Sequence, residues 1–204
     1  WGVPHGEQHE IIERLQLESL KSRCDALTNQ INPHFFFNSL NGISSLVRKG
    51  NNPCTLDYVD KLSDIFRYIL QSDKKALVSL DEELEFVEAF SHVMEVRFAN
   101  KIEFKVDVKE EHRDLRLPVL SLLPLLENVT VHNMIDSEHH MIVRIELNDK
   151  YELVVSNPIF PKLSPPDTNG TGLQNLENRF RLMMQKQIRV CDDGEMFTVY
   201  LPLK

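Results

Sequence analysis

Nothing in this 204-residue chain approaches the run of roughly 18 apolar residues that a membrane-spanning helix needs, and no secretory leader is recognisable. The chain starts at Trp1 rather than Met, so the expectation is that any membrane or sensor segment lies upstream of residue 1. Basic residues are scarce. Twenty-three Lys and Arg stand against 31 Asp and Glu, for a formal charge of -8, which excludes a general phosphate-backbone binder; no direct nucleic acid binding is expected. Cysteines are few, with Cys24, Cys54 and Cys191 far apart and odd in number. That leaves neither a disulfide framework nor a CxxC metal pair, and a reducing compartment fits best. A GxxxxGK[ST] phosphate loop is missing, as are internal repeats and low-complexity tracts. What is present, an apolar fraction of 42% over this length, supplies the core of a folded domain plus a smaller accessory unit.

Apolar residues at Leu17, Leu20, Cys24, Leu27 and Ile31 follow the three-four spacing of a short coiled-coil seam and predict a partner helix. Pro33 is expected to kink this helix, because it removes a backbone donor and crowds the preceding turn. A second seam, Phe36, Leu40, Ile43 and Val47, then restarts out of phase. Gly50-Asn-Asn-Pro53 ends the helix, and Leu56, Val59, Leu62, Ile65, Phe66 and Ile69 mark the buried side of another, which closes a hairpin. Ser79 with Glu82 three residues on has capping-box form and opens a connector helix to about Asn100. Beyond it, alternation predicts strands at 101–108, 141–147, 151–156, 187–191 and 196–203, with helices at about 118–133 and 172–185. The order suits an α+β fold: a helical hairpin over 1–78, then a connector and an α/β sandwich with a mostly antiparallel sheet over 79–204. The proline-rich stretch 157–170 is long for a loop in a compact domain and reads as a functional lid or a disordered segment.

On the second seam's helical wheel, His34 lies about 150° from the apolar side and should face water, with Asn38, Asn41 and Ser45 within about 40° of it. Imidazole is neutral and nucleophilic near pH 7 and can accept a phosphoryl group at a ring nitrogen. Asn38, one turn on, is placed to hydrogen-bond phosphoryl oxygens or a water attacking phosphohistidine. In "LLPLLENVTVHN" (122–133), Asn128 breaks an apolar helix beside His132. Its amide oxygen suits Mg²⁺ bridging substrate phosphates, and Glu127 can orient a metal-bound water. In "NGTGLQNLENRF" (169–180), Gly170 and Gly172 precede a helix, where free backbone N–H groups and the helix dipole attract phosphate.

These stretches, together with "NPHFFFNSLN" (32–41) and "VSLDEELEFVEAFSHVMEVRF" (78–98), resemble in order the phosphoacceptor box, connecting helix, N-box and glycine box of the LytS/YehU-type sensor histidine kinases. The resemblance covers about residues 20–204 and implies a GHKL (Bergerat) ATP-binding domain. It further implies a homodimer that phosphorylates itself on His34 and passes the phosphoryl group to a response-regulator aspartate, often in a regulator with a LytTR DNA-binding domain. ATP and Mg²⁺ would be the cofactors, and the cytoplasmic side of the bacterial inner membrane the location, with the anchor outside this chain. By position, Asn128 would hold Mg²⁺, Glu127 polarise water, Gly170 and Gly172 line the phosphate loop, and His132 close the N-box. Three positions depart from the family pattern: Val131 stands where lysine is common, Asn133 where glycine is common, and no Asp-x-Gly-x-Gly follows the strand at 151–156. Asn157 is the polar residue left to meet an adenine amino group. The missing segment motivates an alternative in which the chain is a catalytically weak kinase serving as a dimeric signalling scaffold.

Overall fold

The structure, a computed structural model, describes residues 11–12, 32–164 and 170–204; the seam at Leu17–Ile31 and part of the proline-rich loop lie outside them. The chain divides into two compact units, Trp1–Leu40 and Asn41–Lys204. Helix α1 (Pro33–Arg48) begins at its proline. Asn32 is non-helical, and its Oδ1 accepts the His34 N–H at 3.0 Å. Pro33 therefore opens a helix, where its missing N–H costs nothing, and the expected kink is replaced by an N-terminus.

The expected apolar side of α1 is displaced by one residue. Phe35, Ser39 and Leu46 are the buried positions, while Phe36, Leu40 and Val47 are 40, 43 and 60% exposed. Gly42 completes the buried row, and a Cβ there would stand 2.3 Å from the Tyr58 hydroxyl oxygen, so helix α2 (Asn52–Gln71) approaches closely at this point. Asn51 caps α2 by accepting from Cys54 N–H, and Tyr58, Leu62, Ile65 and Ile69 form its buried face; Leu56, expected inside, is 67% exposed.

Strand β1 (Leu77–Ser79) leads into helix α3 (Leu80–Arg97), whose Ser79 cap accepts the Glu82 N–H as the capping-box spacing predicts. Next come β2 (Ile102–Asp107), β3 (Arg116–Pro118), which pairs antiparallel with β1, and helix α4 (Leu123–His132). Neither β1 nor β3 was expected. Strands β4 (Met141–Leu147) and β5 (Glu152–Pro158), helix α5 (Gly172–Met184) and strands β6 (Arg189–Asp192) and β7 (Met196–Pro202) complete the chain. The sheet order is β2-β4-β5-β7-β6, parallel only between β2 and β4, so the α+β fold has the mostly antiparallel sheet expected.

Period-two alternation turns Met141, Val143 and Ile145 of β4, and Leu153 and Val155 of β5, to the core. Helix α3 adds Leu84, Val87, Phe90 and Met94; α4 adds Leu125, Leu126 and Val129; α5 adds Leu176 and Phe180. Asn157 falls on the same inward row as Leu153 and Val155, at the end of β5. The register sets Asn157 opposite Phe197 and Phe197 opposite Asp192, so the apolar face of the sheet ends in a mixed polar and aromatic row.

Candidate functional site

That row is one wall of a cavity of about 400 Å³. The other walls are Asn128 and His132 from α4, Ile159 and Lys162 from the segment after β5, and Leu173 from the first turn of α5. The volume and the apolar lining with a few polar groups are those of a small-molecule site. A larger groove of about 530 Å³ between α2 and α3 is lined by charged side chains such as Lys61, Arg67 and Glu82 and holds none of the candidate site residues.

Asn157 is buried, and its Nδ2 donates to the Pro158 carbonyl at 2.7 Å. With the amide's donor side engaged, its Oδ1 is the group left to accept. The Asn128 amide lines the cavity and has no hydrogen-bond partner among the described residues. An uncommitted amide oxygen at a cavity wall is the donor type that a hard cation carried by a phosphate ligand accepts, so the residues fit a nucleotide with its Mg²⁺.

Asn133, buried and one residue past α4, donates from Nδ2 to Val129 O at 3.0 Å and accepts the Phe160 N–H at 2.8 Å. Lys162 supplies the remaining ties: its N–H donates to His132 O at 3.3 Å and its Nζ to Thr130 O at 2.9 Å. The last carbonyls of α4 thus find partners in the segment that follows β5, which docks there through an Asn133–Pro161 bridge. Sequence reasoning missed Lys162, a lone lysine among prolines, and left Asn133 without a role.

Burial, and then the charge of Lys162, lower the His132 pKa and so favour its neutral ring. Burial raises Glu127 to about 7. Glu127 precedes Asn128 but is not a wall of the cavity. Gly170 and Gly172 stand at the start of α5 beside the cavity residue Leu173. Gly170 has φ +62°, the left-handed region that favours glycine. At Gly172 a Cβ would meet only Pro124 Cβ at 3.5 Å, an ordinary contact, so sterics place no demand for glycine there.

The turn before α4 is held from two sides. Glu83 of α3, fully buried, accepts from Ser121 N at 2.6 Å and Leu122 N at 3.2 Å through Oε1, and from the Tyr68 hydroxyl of α2 at 2.6 Å through Oε2. Arg179 of α5 donates to the carbonyls of Val119 and Leu120, the latter residue at φ +56°. Elsewhere, His34 is exposed in the first turn of α1, and the Asn38 amide nitrogen lies 3.1 Å from both of its ring nitrogens. The structure thus brings together His34 with Asn38, and Asn128 with His132 and Asn157.

Residues 22–102 match the histidine kinase family model. The sensor protein LytS of Streptococcus agalactiae is 32% identical over 84% of this chain and 32% of its own length, and the sensor histidine kinase/phosphatase LytS of Staphylococcus aureus is 29% identical over 96% of this chain and 35% of its own. Among solved structures, the histidine kinase domain of a blue-light activated kinase from Erythrobacter litoralis is similar over 91% of this chain and 95% of its own at 14% identity and a TM-score of 0.44. The chain spans about a third of the length of the curated relatives it matches. Over most of its own length, this chain is thus similar to the LytS-type histidine kinases.

Proposed function

We propose that the chain is the kinase core of a two-component sensor: it binds ATP with Mg²⁺ in the cavity of the sandwich, phosphorylates itself on His34 and passes the phosphoryl group to an aspartate of a response regulator. The single observation that carries this reading is the cavity, which joins an uncommitted amide at Asn128 to an inward-facing acceptor at Asn157. In phosphoryl transfer the protein supplies position and charge neutralisation more than covalent chemistry, and a metal ion carried with the nucleotide shares its phosphate charge. Asn157 Oδ1 accepts from the adenine amino group across from Phe197. Asn128 orients the phosphate end. Glu127, with its pKa raised to about 7 by burial, takes or releases a proton near neutral pH at the edge of this site.

His34 stands at the N-terminal end of α1, where the helix dipole favours the negative charge of a phosphoryl group. Asn38 donates to a ring nitrogen and fixes the orientation of the imidazole. The apolar side chains of Phe36, Phe37, Leu40, Val47 and Leu56 are exposed on a single chain. Covering them by a second copy makes the helical region, residues 1–78, a homodimer interface. A regulator with a LytTR domain is the proposed recipient. No helix among the described residues is long and apolar enough to cross a membrane, and we place the chain on the cytoplasmic side of the inner membrane, held there by a segment outside it.

Incubation with γ-labelled ATP tests the reading. Acid-labile, alkali-stable label that vanishes in His34→Gln is expected; label retained in that variant rejects His34. If wild type binds ATP but takes up no label, the scaffold replaces the kinase, a reading that the absence of an aspartate at position 157 motivates.

A further inference from the structure

Phosphate groups need a cation, and α4 contains no lysine or arginine. Among the described residues that line the cavity, Lys162 is the single permanently charged cation. Its place is set by backbone geometry. The hydrogen bond from its own N–H to His132 O, the bridge at Pro161 and the Asn133 amide on Phe160 N fix the segment against the end of α4. From there the side chain turns back along the helix, and Nζ donates to Thr130 O, two residues beyond Asn128. A neutral carbonyl occupies one of the three ammonium protons and leaves the charge uncompensated. Lys162 forms no ion pair among the described residues; Arg97 and His132, which couple to it, are basic, and Asp192 is the one carboxylate among the described residues that line the same cavity. The ammonium therefore keeps protons free for a ligand in the cavity. Burial and the Arg97 charge lower the Lys162 pKa, as expected of an ammonium that lacks a counter-ion.

We propose that Lys162 is a phosphate-binding residue of the nucleotide site, donating its free ammonium protons to the polyphosphate of ATP while Thr130 O holds it in place. The proposal rests on the nucleotide reading given above. It adds that the cation comes from the segment after β5 rather than from α4, and that it makes the cavity selective for a polyphosphate over a bare nucleoside. The competing reading is purely structural: a lysine that caps the carbonyls at a helix C-terminus.

Calorimetric titration of the whole chain with Mg-ATP and with adenosine, for wild type, Lys162→Met and Lys162→Arg, separates the two. Loss of a charge-assisted hydrogen bond weakens ATP by about tenfold or more in Lys162→Met. Adenosine affinity stays within about twofold, since no phosphate is present to lose a partner, and Lys162→Arg recovers most of the ATP affinity. Equal weakening of both ligands, or ATP affinity unchanged in Lys162→Met, overturns the proposal and leaves Lys162 as a cap, the nucleotide reading surviving. If wild type binds neither ligand, the nucleotide reading falls and this proposal with it.

Discussion

Replacing Glu83 with alanine removes the acceptor for two backbone donors, Ser121 N and Leu122 N, on residues with no exposed surface. Each buried N–H left without a partner costs about 1–3 kcal/mol, and the excised side chain leaves a cavity besides. Tyr68 is only half-buried, and its hydroxyl can turn to water, so it adds little. Against this, burial raises the Glu83 pKa above the usual carboxylate range, offset in part by the bonds from Tyr68, Leu122 and Ser121 and by the Arg179 charge, and the variant escapes that cost. The balance is a loss of about 3 kcal/mol, which lowers the melting temperature of a chain this size by roughly 6–12 °C. Glu83→Gln keeps an oxygen for Ser121 and Leu122 and offers its NH₂ to the Tyr68 oxygen, so it stays within about 1 kcal/mol of wild type. The sign of the pH dependence follows from the raised pKa. The wild-type advantage is present below the unfolded value and is lost as pH rises through the folded one, so Glu83→Gln gains on wild type toward alkaline pH. Scanning calorimetry of the three proteins at several pH values is the assay. Alanine and glutamine variants equally unstable at pH 7 would show that charge, not hydrogen-bond acceptance, ties the turn; an alanine variant as stable as wild type would refute the tie altogether.

Two further outcomes are expected. Gly42→Ala gains about 1 kcal/mol of helix propensity but drives a Cβ to 2.3 Å from the Tyr58 oxygen and 2.8 Å from its Cζ, a ring with no room to retreat. Overpacking of about 1–3 kcal/mol wins, so the variant melts below wild type; an equal or higher melting temperature shows that the helices separate at no cost. Glu127→Gln removes a carboxyl whose pKa burial raises from 4.5 to about 7. The wild type loses relative stability as pH rises across that window, so denaturant midpoints should shift in favour of the variant between pH 4.5 and 7. Autophosphorylation should lose its rise near pH 7 in the same variant, and an unchanged pH profile removes Glu127 from the chemistry.

The sandwich was largely legible because its signals are redundant. The alternation in "MIVRIEL" places β4 within its observed bounds, and Ser79 with Glu82 locates the start of α3. The hairpin was harder. Three consecutive phenylalanines leave the phase of α1 undetermined, and the buried side holds Ser39 and, where α2 comes close, Gly42, residues silent in hydropathy. Strands β1 and β3, three residues each, are too short for alternation to show, and the second lies next to a charge run that reads as a solvated loop. Asn128, His132 and Asn157, candidates from motif and strand order, line one cavity in the structure. Lys162 and Asn133 were invisible because their roles depend on carbonyls at the end of α4, and no local pattern announces which distant segment will satisfy them.

Those carbonyls have a dynamic consequence. Lifting residues 160–162 from α4 breaks the bonds of Phe160 N, Lys162 N, Lys162 Nζ and Met134 N together, and strips the carbonyls of Thr130 and His132 of these partners. Partial release gains nothing, so the amides of Met134, Phe160 and Lys162 share one opening event and should exchange with solvent deuterium at one common rate, a latch that is either shut or undone.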